Sequence, residues 1–149
     1  MAASRVLVAV AARSLSGAGD ITLPQYRALI VLAARPGITV GDLAAALDIH
    51  ASTATRLCDR LARKKLLRRT PSPEDRRSTR LHLAAAGARV VEDVASRRRR
   101  DIAAIAARMP AEGAAAAVEA LRAFGAAAGE VTGADPFAWQ VTGSAAVGR

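Results

Sequence analysis

Apolar residues recur with a helical period along most of the chain and switch to strict alternation in one place. Residues 3–14 put Val6, Leu7 and Val10 on one side of a short helix, and Ser16-Gly17-Ala18-Gly19-Asp20 interrupts it. Thr22-Leu23-Pro24-Gln25 has the form of a capping box with proline in the first turn. The helix it opens buries Tyr26, Leu29, Ile30 and Leu32/Ala33, and Arg35-Pro36-Gly37 stops it. Thr39-Val40-Gly41-Asp42 opens a second short helix with Leu43 and Leu47 inward, and Asp48-Ile49-His50 is a tight turn. A third helix, about Ala51 to Lys64, has Ala54, Leu57, Cys58 and Leu61 on one face.

Alternation then takes over. Leu66 to Thr70 and Thr79 to Leu83 read as short strands, the second with Leu81 and Leu83 alternating with Arg80 and His82. The polar segment between them, Pro71 to Ser78, makes the pair a hairpin. A long helix follows, about Ala84 to Met109, ended by Pro110, and a last one spans about Ala111 to Ala128 with Val118, Leu121 and Phe124 on its apolar edge. Residues 133–149 have little periodicity and read as a mobile tail. The pattern predicts a mainly α fold with a small β-hairpin wing: a winged helix-turn-helix with terminal dimerisation helices. The expected divisions are an N-terminal dimerisation helix at 1–20, the winged helix-turn-helix domain at 21–83, the long helix and C-terminal dimerisation helix at 84–130, and a tail at 131–149.

Charge decides what such a fold does. The 149 residues carry a net charge of +9, and residues 50–80 hold ten basic against three acidic groups, seven of those nine charges. A basic cluster of this density in a helix and hairpin fits a polyanion. Aromatic residues are only 3% of the chain, which excludes single-strand binding by base stacking. The third helix suits a major groove about 12 Å wide. Its outer face carries His50, Ser52, Thr53, Thr55, Arg56 and Arg60, short donors and acceptors with long cations for base edges and phosphates. Arg76, Arg77 and Arg80 add charge on the wing. Ser52 and Thr53 also have a plainer reading as helix caps, and Lys64 and Lys65 one as complements to the helix dipole.

Thr55-Arg56-Leu57-Cys58-Asp59-Arg60-Leu61, then Leu66-Leu67-Arg68-Arg69, Pro73-Glu74-Asp75-Arg76-Arg77, and Leu81-His82-Leu83 before Gly87, together resemble the MarR (multiple antibiotic resistance regulator) transcriptional regulators over about residues 20 to 110. The resemblance implies a homodimeric, usually repressing regulator of palindromic double-stranded DNA operators, open to release by a small-molecule effector. It implies that the helix from about Ala51 to Lys64 reads DNA, that Arg77 reaches the minor groove, and that Asp75 braces it. The sequence departs from the family in three places. Lys65 stands where a helix-ending glycine is usual, Ala84 replaces the usual threonine before the long helix, and the N-terminal arm is short and Ala-rich.

Other chemistries have little to build on. His50, His82 and the single cysteine lack metal-ligand spacing, and no nucleophile–base pair or phosphate-binding glycine loop is present, so neither an enzyme nor a cofactor is expected. No apolar run reaches membrane-span length, and the lone Cys58 fits a cytoplasmic protein. Two alternatives stay open: a winged-helix module that docks proteins, and a thiol redox sensor acting through Cys58. Dimerisation is expected through Val6, Val10, Val118, Leu121 and Phe124. In Arg97-Arg98-Arg99-Arg100, Arg98 lies four residues from both Val94 and Ile102 on the apolar seam of the long helix. It should therefore lie against apolar surface or at the dimer interface, paired with Glu92, Asp93, Asp101 or a partner acid, while Arg99 and Arg100 face water.

Overall fold

Two capping boxes set the frame of the winged-helix half. In the computed structural model, which describes residues 2–72 and 78–127, Thr22 caps α2 (Leu23–Ala34) and Thr39 caps α3 (Val40–Leu47). Gln25 N–H donates to Thr22 Oγ1 at 3.4 Å and Thr22 N–H to Gln25 Oε1 at 3.2 Å. Asp42 N–H donates to Thr39 Oγ1 at 3.1 Å, and Thr39 N–H returns a bond to the Asp42 carboxylate at 2.9 Å. Each box satisfies two backbone or side-chain groups that a helix start would otherwise leave open.

Asp48 turns the chain at φ 54° after α3, and α4 (Ala51–Arg63) begins three residues later. Strand β1 (Leu67–Pro71) pairs antiparallel with β2 (Thr79–Leu83), with Arg69 opposite Leu81 and Arg68 opposite His82. Ile38, just before α3, extends this sheet by a single antiparallel bridge to Leu81. α1 (Ala2–Ser16) lies on α5 (Ala85–Ala106), and α6 (Ala111–Ala127) follows.

One core joins α2, α3, α4 and the hairpin, through residues such as Leu29, Leu32, Leu43, Leu61 and Leu81. Burying each leucine stabilises the fold by about 1.5–3 kcal/mol. Val91 and Val94 belong to the same cluster, so the first half of α5 is part of the winged-helix core. Gly87 allows that approach: a Cβ there would collide with the Leu66 carbonyl oxygen and lie 2.7 Å from Leu83 Cδ1. The end of α5 tightens into i→i−3 bonds, Arg108 N–H to Ile105 O and Met109 N–H to Ala106 O, so the helix closes three residues before the expected Met109.

Val10 departs from expectation. It is 1% exposed and closed inside the chain, so it is not free to face a second subunit. α1 has apolar residues on two sides. Val10 and Ser14 turn toward the packed interior, whereas Val6, Leu7 and Val8 turn outward.

Candidate nucleic-acid interface

α4 is divided lengthwise by its sequence. Ala54, Leu57, Cys58 and Leu61 are buried, while His50, Ser52, Thr53, Thr55, Arg56 and Arg60 are all exposed. His50 occupies the N-cap position without a side-chain cap bond, so its imidazole is not used to hold the helix. Ser52 and Thr53 lie within the first turn rather than at the cap, which removes the plainer reading given to them. Thr55 Oγ1 donates to Ala51 O at 2.9 Å, fixing its rotamer and leaving lone pairs outward. The exposed N-terminal turn, with its positive dipole end, and the arginines behind it form a surface suited to a polyanion.

The end of α4 is built differently from its start. Leu66 N–H bonds Leu61 O and Lys65 N–H bonds Ala62 O, each at 2.9 Å, the paired bonds of a Schellman motif. Lys65 closes it at φ 58°, a left-handed conformation that a Cβ disfavours. Lys64 turns away from the outer face. Its Nζ donates to the Asp20 backbone carbonyl, to Asp20 Oδ2 at 3.1 Å and to Gln25 Oε1 at 3.4 Å, stapling α4 to the start of α2. Arg69 pairs with Asp59 at 2.7 Å and ties β1 to α4.

On the wing, Asp75, Arg76 and Arg77 lie outside the described residues. Arg80 is half-buried and engaged: Nη1 donates to Gly37 O and Nε to Ser72 Oγ, each at 3.3 Å. Its register places it on one face of the hairpin with Arg68, Thr70 and His82. Thr70 Oγ1 and His82 Nε2 share a hydrogen bond of 3.0 Å across the strands. Between this face, the end of α2 and the start of α5 lies an open groove of about 340 Å³. Leu32, Pro36, Leu83 and Val91 line it, with Arg68 and His82 on its polar side.

Cys58 is fully buried. Burial pushes its thiol up from the ordinary value, with Arg69 acting in the opposite direction. A buried protonated thiol is a poor nucleophile, so the site lacks the exposed thiolate that a redox sensor needs.

The sequence model of the MarR family matches residues 19–78, from the break before α2 into the wing. The fold agrees over a longer stretch. The crystal structure of RV1404 from Mycobacterium tuberculosis superposes with a TM-score of 0.81 at 38% identity, covering 87% of this chain and 89% of that one. The chain belongs to the MarR family. A MepR mutant from S. aureus, bound to an oligodeoxyribonucleotide, matches this MarR-family chain with a TM-score of 0.69 at 26% identity, over 83% of this chain and 91% of that one. Among curated relatives, the HTH-type transcriptional regulator YsmB of Bacillus subtilis is 36% identical over 78 residues, 52% of this chain and 53% of that protein. The chain spans about half the length of the curated relatives it matches. The fold is accordingly the winged helix of the MarR-family transcriptional regulators.

The terminal helices of this MarR-family chain carry its bare apolar surface. Val6, Leu7 and Val8 on α1, Ile102 on α5, Met109 after it, and Val118, Leu121 and Phe124 on α6 are all exposed, Phe124 at 74%. Arg98 is half-buried with Nε enclosed and no hydrogen-bond partner among the described residues, while Arg99 and Arg100 are exposed. Two of the acids expected to pair with Arg98 are engaged elsewhere, Glu92 with Arg99 at 2.6 Å and Asp101 with Arg13 at 3.4 Å. Sequence reasoning missed Arg97, whose guanidinium lies over Gly17 with Nη1 enclosed and unpartnered among the described residues. Only helical geometry together with the position of α1 reveals it.

Proposed function

We propose that this chain acts as a homodimer that represses transcription by seating α4 of each copy in successive major grooves of a palindromic operator. The observation that carries the reading is the clean division of α4: every expected contact residue from His50 to Arg60 is exposed, and the inward set of Ala54, Leu57, Cys58 and Leu61 is buried. In this reading Ser52, Thr53 and Arg56 reach base edges, His50, Thr55 and Arg60 hold phosphates, and Arg76 and Arg77 extend the contact from the wing with Asp75 as a brace.

Support for the dimer comes from α6. This 17-residue helix makes almost no contact with the other elements, and its Val118, Leu121 and Phe124 are bare. A helix of that length is marginal in water without a partner face. A second copy supplies one through α1, the end of α5 and α6, and closes over Arg98 with an acid of its own. The groove beside Arg68 and His82 gives an effector a place to bear on the hairpin. Repression released by such a ligand completes the reading.

The test is a gel shift against DNA flanking the protein's own gene, repeated across salt. Binding by a dimer contacting several phosphates per copy releases roughly 6–10 counterions, so affinity falls steeply between about 50 and 200 mM salt. A shift that ignores salt, or none at all, contradicts the reading.

A further inference from the structure

Among the described arginines from 50 to 80, Arg80 stands apart. The arginines of α4 that face outward are exposed, and Arg80 is half-buried. Among the described residues its guanidinium bonds to two separate pieces of chain, and its charge is felt at a third. Nε donates to Ser72 Oγ, on the far side of the hairpin, at 3.3 Å, and Ser72 is itself buried and tied to Ser78 by a 2.8 Å backbone bond. Nη1 donates to Gly37 O at 3.3 Å, in the loop between α2 and α3. Its charge also reaches the Asp42 carboxylate at the start of α3.

Gly37 is the joint of this arrangement. It stands at φ 80°, where its N–H donates to Leu81 O at 2.9 Å while its carbonyl meets Arg80. Leu81 N–H in turn donates to Ile38 O at 2.8 Å. The next residue, Thr39, caps α3, and α3 leads through the Asp48 turn into α4. Arg80 therefore links the two strands of the wing to the loop from which the DNA-reading pair of helices starts.

We infer that Arg80 is a positioning residue for DNA binding and not a DNA contact: it fixes the angle of the wing relative to α4. The physical argument is one of competing uses. A guanidinium presents its donors in a fixed fork, and here that fork spans Gly37 O and Ser72 Oγ. Turning it to a phosphate would leave both acceptors without it and release the wing. A two-stranded hairpin has little stability of its own, so its direction depends on what ties it to the domain. This role rests on the DNA-binding reading above, because a fixed wing angle matters only if wing and helix grip one duplex together.

The test compares Arg80→Ala, Arg80→Lys and Ser72→Ala with wild type, and with Arg60→Ala as a phosphate-contact control, by salt titration of operator binding and hydroxyl-radical footprinting. Arg80→Ala should weaken binding about tenfold. The slope of log affinity against log salt should stay at the wild-type value, whereas Arg60→Ala should flatten it by about one unit per copy. Arg80→Lys keeps the charge but cannot span both acceptors, so it should not restore affinity. Ser72→Ala should weaken binding in the same direction with the charge intact. In the footprint, protection by the wing should fade while protection by α4 remains.

A flatter slope for Arg80→Ala, or full rescue by Arg80→Lys, overturns the inference and makes Arg80 a phosphate contact. Even loss of wing and α4 protection, in step with a lowered melting temperature, overturns it in favour of a role in overall stability. Unchanged affinity for Arg80→Ala overturns it outright. Failure of wild type to footprint any DNA refutes instead the DNA-binding reading on which the inference stands.

Discussion

Lys65 holds a left-handed conformation that a glycine would adopt without a steric penalty, and the strain sits in a fully bonded helix end. Lys65→Gly should relieve it and raise stability by about 1 kcal/mol, read as a higher urea midpoint at unchanged m-value. Gly87 is the opposite case. Its missing Cβ is what lets α5 approach the Leu66 carbonyl, so Gly87→Ala should cost about 1–3 kcal/mol through overpacking, measured by the same unfolding curve. Cys58 should resist alkylation in the folded protein and react only on unfolding, and peroxide should leave operator affinity unchanged. Asp42 gives a residue-level pH dependence. The Thr39 backbone N–H, followed by its hydroxyl, holds the carboxyl below its ordinary value of 3.8. A depressed folded-state value means stabilisation that is complete above the ordinary value and lost as pH falls through the folded one. Asp42→Asn should therefore flatten the acid limb of a stability profile below about pH 4 and leave its neutral plateau with only the small loss of a cap.

At the scale of elements, local grammar was readable and long-range apposition was not. Both capping boxes, the inward faces of α2, α3 and α4, and the hairpin pairing follow from residue types at short spacing, and they stand where the pattern puts them. Ala84 is a related case: the missing threonine predicts an unaided helix start, and α5 has no side-chain cap there. Replacing it, Ala84→Thr, should stabilise by about 1 kcal/mol, seen as a higher thermal midpoint. In the sequence Arg80 reads as one more DNA contact because it sits in a basic wing, and the inference above gives it another role. Its acceptor, Gly37 O, is 43 residues away and leaves no trace in sequence. Val10 was misplaced for a similar reason. Five large apolar residues crowd the first helix, and which of them face α5 depends on where α5 lies. Lys64 shows the same limit, since its anchor at Asp20 belongs to a distant turn.

For the molecule as a whole, the balance of exposed faces governs behaviour. Arg98→Ala should disturb the dimer or its preferred operator spacing more than Arg99→Ala, because Arg98 Nε is enclosed and Arg99 is an exposed ion pair worth little. Light scattering and a spacer-variant gel shift compare the two, and equal, negligible effects would make the four-arginine run only a solvated face. Phe124→Asp should shift the species from twice the 15.4 kDa chain mass toward the single chain. The near-isolation of α6 has one more consequence. In the proposed dimer α6 completes its packing against the second copy, a step subject to mass action, so helix content and melting temperature should both climb with protein concentration. In the proposed homodimeric repressor this makes the protein a gauge of its own abundance: when the chain is scarce, α6 would lose its partner face, the spacing between reading heads would dissolve, and a silenced gene would begin to be transcribed.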